Sequence, residues 1–182
     1  MTNRQMANLL SCSRIPLSAV CVFTFSPNKV ALSICSAVAV IIFLTDILDG
    51  YYARRASESG VDGRHWDSLG DKAFYIAMIV ALISHGMLLA VVGWGLLFRE
   101  VAMYIVRIWN FAYIQNILKH RIFTDLHGFF MYMTIIFGFY NMYNIAYRFE
   151  VPLVYLVNIF AIVSFGFGTL SIIKFLHQVS EE

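Results

Sequence analysis

Six apolar segments run through this chain of 182 residues and decide what it can fold into. They lie at about Ser13–Phe25, Val30–Tyr52, Asp67–Ser84, Met87–Trp109, Leu126–Tyr147 and Pro152–Phe175. A hydrocarbon core takes roughly 20 mostly apolar residues as helix, and in lipid only helices and closed barrels satisfy their own backbone. The rest of the composition agrees. Hydrophobic residues make up 60% of the chain and charged residues 13%, against about 25% charged in a soluble domain. The expectation is an all-α integral membrane bundle of six transmembrane helices, forming one domain over 1–182. The first segment is short, and the mixed "TNRQMANLLSCSR" before it predicts an interfacial helix over 1–12. The six spans then occupy 13–175, and 176–182 form a tail.

An even number of spans places both termini on one side of the membrane. Arg4, Arg14, Arg54, Arg55, Arg64, Lys72, Arg107, Lys119, Arg121 and Lys174 then share that side. Lys29 and Arg148 fall on the other, and Arg99 lies within a span. By the positive-inside rule the first side is cytoplasmic. That membrane is the cytoplasmic membrane of a bacterium or an organelle membrane of a eukaryote. A net charge of +2 gives no reason to expect a nucleic-acid partner. Cys12, Cys21 and Cys35 form no CxxC pair and read as small residues of apolar stretches. The five histidines show no HxxxH or HExxH spacing, so no histidine metal site is expected.

The cytoplasmic ends of the second and third segments carry an unusual charge pattern, "TDILDGYYARRASESGVDGRHWDSLGDK", from Thr45 to Lys72. Asp46 and Asp49 are three apart and Asp67 and Asp71 four apart, so on helices each pair shares a face. Gly50 and Ala53 continue the first stripe, and Gly63 and Gly70 the second. Two helices thus each present two carboxylates among small residues that admit a close neighbour or a flat ligand. Two like charges at about 4 Å repel by on the order of 4 kcal/mol at an effective dielectric of 20. Four converging carboxylates therefore call for protonation or for a cation. An oxygen-only donor set suits a hard ion such as Mg²⁺, Mn²⁺ or Ca²⁺, and two ions would suit phosphoryl chemistry. Arg54 would add a fixed phosphate contact. An ion-coupled transporter also uses intramembrane carboxylates, but ion passage does not require the Gly50–Ala53–Arg54 and Gly63 framework.

"DILDGYYAR", an eight-residue gap and "GRHWDSLGD" fill every fixed position of D-x2-D-G-x2-A-R-x8-G-x3-D-x3-D. In this the chain resembles the CDP-alcohol phosphotransferases. The resemblance implies a membrane enzyme, usually a homodimer, that transfers the phospho-alcohol part of a CDP-alcohol to an acceptor hydroxyl and releases CMP. It implies that Asp46, Asp49 and Asp67 hold Mg²⁺ or Mn²⁺ in a two-ion site. Asp71 would complete that site and act as general base. Gly50, Ala53 and Gly63 would accommodate the nucleotide, and Arg54 its diphosphate.

The acceptor must be read elsewhere. Arg99, Met103 and Arg107 are spaced by four in "FREVAMYIVRIWN" and share a helix face. Two arginines there would bind an anionic acceptor; the plainer alternative pairs Arg99 with a carboxylate and lets Arg107 reach the interface. The R-E-x6-R pattern resembles the phosphatidylglycerophosphate synthases within the family, as does the entry "ANLLSCSRIPL". These use CDP-diacylglycerol and glycerol 3-phosphate. Their K-x-K-T-x-x-Q stretch corresponds here to "RIFTDLH": Arg121 and Thr124 fit, Phe123 stands where a lysine is usual, and His127 where a glutamine is. Arg99, Arg107, Arg121, Thr124 and His127 are the candidate acceptor contacts. Inositol phosphate, serine and phosphatidylglycerol remain alternative polar acceptors.

Overall fold

The computed structural model describes residues 3–55, 61–109, 121–147 and 153–180. They form six helices: α1 (Asn3–Thr24), α2 (Lys29–Arg55), α3 (Val61–Ser84), α4 (Ala90–Trp109), α5 (Arg121–Tyr147) and α6 (Val154–Ser180). No strand occurs among the described residues. The helices answer one for one to the six apolar segments. Within them, three stretches are long and apolar enough to cross a membrane: Lys29–Leu48, Ile122–Tyr147 and Val154–Lys174. The apolar parts of α1 and α3, Asn8–Thr24 and Lys72–Ser84, are shorter. α4 carries Arg99, Glu100 and Arg107 among its apolar residues.

The boundaries differ from the hydropathy reading in a consistent way. The segment expected to lie at the interface and the first span are one continuous helix, with Pro16 inside it. α3 starts at Val61 and α5 at Arg121, each before its apolar run begins. α4 starts at Ala90 instead of Met87, because α3 is closed off first. Gly86 has φ 67°, its N–H donates to Ile83 O at 3.0 Å and that of Met87 donates to Leu82 O at 2.9 Å. This is the paired bonding of a Schellman turn, which needs a left-handed residue that glycine adopts without strain.

The chain divides into two compact units. The first comprises Met1–Ala81 with Met142–Glu150. Here α1 and α2 form a hairpin across "SPN". Asn28 caps α2, its Oδ1 accepting from Val30 N at 2.9 Å and Ala31 N at 3.3 Å. Cys21 and Cys35 are wholly buried between the two helices. Cys35 Sγ donates to Cys21 O at 3.5 Å, and Cys21 Sγ lies 3.9 Å from Cys35 O. Both thiols are free, as their apolar setting predicts. The last turns of α5 join this unit: Ser36 and Tyr143 share a hydrogen bond at 3.0 Å, and the Lys29 ammonium lies 4.5 Å from the Tyr147 ring centre.

The second unit comprises Leu82–Asn141 with Val151–Glu182. Its α5–α6 contact is built from aromatic rings: Phe130 stacks on Phe167 at 5.6 Å and Phe137 on Phe160 at 5.1 Å. Two asparagines tie its helix ends. Asn158 Oδ1 accepts from Leu89 N at 2.8 Å just before α4, while its Nδ2 donates to Met87 O and Val154 O. Asn141 Oδ1 accepts from Leu153 N just before α6. Large apolar side chains are exposed in both units, among them Phe23 of the first at 85% and Phe98 of the second at 78%. That distribution suits lipid as solvent and would be an aggregating surface in water.

Candidate active site

The signature residues fall on two helices, as their spacing predicts. Asp46, Asp49, Gly50, Ala53 and Arg54 belong to α2. Because α3 begins early, Gly63, Asp67, Gly70 and Asp71 all belong to α3. Gly63 is therefore on the same helix as the second carboxylate pair, as the stripe requires, although it precedes the apolar segment that begins at Asp67. The side chains of Asp49, Ala53, Arg54, Asp67 and Asp71, and the surroundings of Gly50 and Gly63, lie outside the described residues.

Asp46 is described, and it has a partner that the spacing did not reveal. Its Oδ1 lies 3.1 Å from Nη1 of Arg14, on α1. Arg14 is wholly buried, whereas the Asp46 side chain is 37% exposed. Gly70 holds α3 near the same turn of α1. A Cβ on Gly70 would lie 2.7 Å from Ser11 O and 3.4 Å from Arg14 Cδ. Backbone cannot give way as a side-chain tip can, so Gly70→Ala is expected to lose about 1–3 kcal/mol of stability. The thermal midpoint of the purified protein in detergent micelles measures this. Gly128→Ala, where a Cβ would meet nothing within 4 Å, is the matched control and should leave the midpoint unchanged.

Among the described residues no three acidic, histidine or cysteine side chains form a metal-sized cluster. The donor set of the motif consists of carboxylates alone, and Asp46 keeps part of its carboxylate open to a ligand while Arg14 holds one oxygen. This fits a hard divalent cation and does not fit a thiophilic one.

A second polar cluster lies in the other unit, on α4, α5 and α6. Arg99, Glu100 and His127 are 4%, 3% and 5% exposed. Glu100 Oε1 accepts from Arg99 Nη1 and, at 2.8 Å, from His127 Nε2. One carboxylate oxygen thus holds both a guanidinium and an imidazole. His127 Nδ1 lies 2.9 Å from both Ser164 O and Ser164 Oγ, and that hydroxyl also lies 3.0 Å from His127 O. With the hydroxyl turned to His127 O, Nδ1 is left to donate to Ser164 O; turned to Nδ1, the hydroxyl donates to the ring instead.

The opposite edge of the Arg99 guanidinium, Nε and Nη2, is buried with no hydrogen-bond partner among the described residues. A Cβ at Gly168 would lie 2.5 Å from Arg99 Nε and 3.0 Å from His127 Nδ1. Glycine is what lets α6 pass this close to the charged groups. Three residues before His127, Thr124 Oγ1 shares a hydrogen bond with Ser171 Oγ at 2.9 Å. The Lys174 ammonium sits 4.1 Å from the ring centre of Phe123.

The structure therefore brings Arg99 and His127 together and places Thr124 about one turn along α5. Arg107 lies on α4 and Arg121 opens α5, but their side chains lie outside the described residues. The pairing of Arg99 with a carboxylate, weighed against acceptor binding, does occur, through its neighbour Glu100. Sequence reasoning missed Glu100, Ser164, Gly168 and Arg14; it had Gly70 on the small-residue stripe of α3, without its neighbour on α1. Glu100 had a legible signal: a second charge deep in an apolar segment is costly unless paired.

The profile of the CDP-alcohol phosphatidyltransferases matches residues 4–169. The chain belongs to that family, and it is a transferase that moves the phosphatidyl group of a CDP-alcohol to an acceptor. The family is generally dependent on a divalent metal. This assignment sets aside the ion-transporter alternative. No curated protein and no solved structure matches the chain.

Proposed function

We propose that the protein transfers the phosphatidyl group of CDP-diacylglycerol to glycerol 3-phosphate, releasing CMP, in phospholipid biosynthesis at the cytoplasmic face of its membrane. A homodimer is the expected assembly. Asp46, Asp49, Asp67 and Asp71 would hold two Mg²⁺ or Mn²⁺ ions. When bound, the ions offset the charge of the diphosphate and of the leaving CMP. Gly50, Ala53 and Gly63 leave room for the nucleotide, and Arg54 orients the diphosphate. Asp71 takes the proton of the acceptor hydroxyl. The acceptor oxygen forms its bond to the β-phosphorus as the bond from that phosphorus to the CMP oxygen breaks.

The observation that carries the acceptor reading is the Nε/Nη2 edge of Arg99, buried with no hydrogen-bond partner among the described residues. That edge presents two parallel N–H groups, the spacing that grips two oxygens of one phosphate. Glu100 holds the guanidinium by Nη1 and so fixes which edge is offered. A neutral acceptor such as serine with its own internal charge balance has less use for it. The usual lysine is replaced by Phe123, but a cation still reaches that position: the Lys174 ammonium over the Phe123 ring supplies it from α6.

The test is CMP release from CDP-diacylglycerol with Mg²⁺ or Mn²⁺, run against glycerol 3-phosphate, inositol phosphate, serine and phosphatidylglycerol. Glycerol 3-phosphate should give the highest kcat/KM. Lys174→Met should raise its KM several-fold with kcat little changed, since an exposed phosphate contact contributes to ground-state and transition-state binding alike. Release with serine and with no phosphorylated acceptor would overturn the acceptor assignment.

A further inference from the structure

Arg14 sits in α1, outside the signature, and nothing in the chemistry above gives it a task. Its setting is nonetheless built. The side chain is wholly buried, with Nη1 3.1 Å from Asp46 Oδ1. Its backbone carbonyl accepts from the buried Ser18 hydroxyl at 2.6 Å. The same turn of α1 is pressed against Gly70 on α3, through Ser11 O and Arg14 Cδ. One turn of α1 is thus fitted to both halves of the motif, to Asp46 on α2 and to the residue preceding Asp71 on α3.

Stability is a poor reason to bury this arginine. Removing a guanidinium from water costs several kcal/mol, so a buried ion pair is weak evidence of a purely stabilising role. What the contact does fix is the direction of the Asp46 carboxylate, one oxygen of which is committed to α1. We propose that Arg14 is a positioning residue, which holds the Asp46 carboxylate in the orientation that receives a divalent cation. This rests on the reading of Asp46 as a metal ligand. It assigns to α1 the role that outer-shell partners have at metal sites, where their loss typically weakens metal affinity or activity by about 10–100-fold.

The sign of the effect separates this role from its rivals. If Arg14 acted only as a positive charge near the site, removing it would tighten cation binding. If it were only a packing element, cation binding would not change. A positioning role makes binding weaker. The experiment uses Mn²⁺ alone as probe and the full-length protein in detergent micelles, following the rise of the thermal midpoint with Mn²⁺ concentration. Arg14→Met keeps the stem that packs near Gly70 and removes the guanidinium. It should weaken apparent Mn²⁺ affinity by about 10-fold or more, while the midpoint without metal stays the same or rises. Arg14→Lys, which keeps the charge without the planar fork, should fall between. Unchanged or tighter Mn²⁺ binding in Arg14→Met overturns the proposal. If that variant does not fold, Arg14→Lys decides by the same criterion. A wild-type protein whose midpoint ignores both Mn²⁺ and Mg²⁺ overturns the metal-ligand reading itself, and the proposal with it.

Discussion

Asp71→Asn is expected to cut CMP release by about 10²–10⁴-fold, the range supplied by a positioned general base, while CDP-diacylglycerol still binds. Asparagine matches aspartate in shape but accepts no proton at physiological pH. The loss should therefore fall on kcat, whatever the acceptor concentration. CMP release measures turnover, and equilibrium binding of the liponucleotide measures what is retained. Near-normal turnover would move the base elsewhere in the site. If binding were lost together with turnover, Asp71 would act chiefly in holding the donor and its metal. The residue lies next to Gly70, whose contact with Ser11 fixes α3 against α1. A change confined to the Asp71 side chain leaves that contact in place, so a loss of turnover would not come from loosened packing of α3 on α1.

Glu100→Leu should lower stability by about 3–5 kcal/mol, the effect of removing one member of a buried ion pair. Arg99 would be left as a buried cation, and His127 Nε2 would lose its acceptor. The informative comparison is the double variant Arg99→Met with Glu100→Leu. Replacing both charges with apolar groups removes the uncompensated cation, so the double variant should be more stable than Glu100→Leu alone. Thermal denaturation in micelles reads the difference. The double variant should still lose activity toward glycerol 3-phosphate, because the guanidinium edge goes with Arg99. A double variant no more stable than the single one would mean that Glu100 and Arg99 are not energetically coupled.

The helices were legible in the sequence because apolar surface in lipid must be helical, and their starts were misread for the same reason. Hydropathy reports which residues meet lipid, not how far a helix extends. Val61–Trp66 carries Asp62, Gly63, Arg64 and His65 and has no apolar run, yet it continues α3 outward. Arg121–Asp125 does the same for α5. The carboxylate motif was legible because its spacing lies within single helices, where sequence distance becomes a face. The rest depended on contacts between helices. Asp46 meets Arg14, 32 positions earlier, and His127 meets Ser164, 37 positions later. No periodicity marks such pairs. Gly70 was legible from its stripe but its neighbour on α1 was not, and only the neighbours of a hypothetical Cβ tell Gly168 apart from Gly128.

Asn158 has a consequence for biosynthesis. Its carboxamide accepts from Leu89 N and donates to Met87 O, so the backbone that opens α4 is completed by a residue on α6. The ribosome makes Leu89 69 residues before it makes Asn158. Until the last helix emerges, those polar groups at the head of α4 must be held by water at the membrane surface or by the insertion machinery. Maturation of this unit thus waits for α6, and a ribosome stalled before Asn158 would leave a fourth helix inserted but not locked.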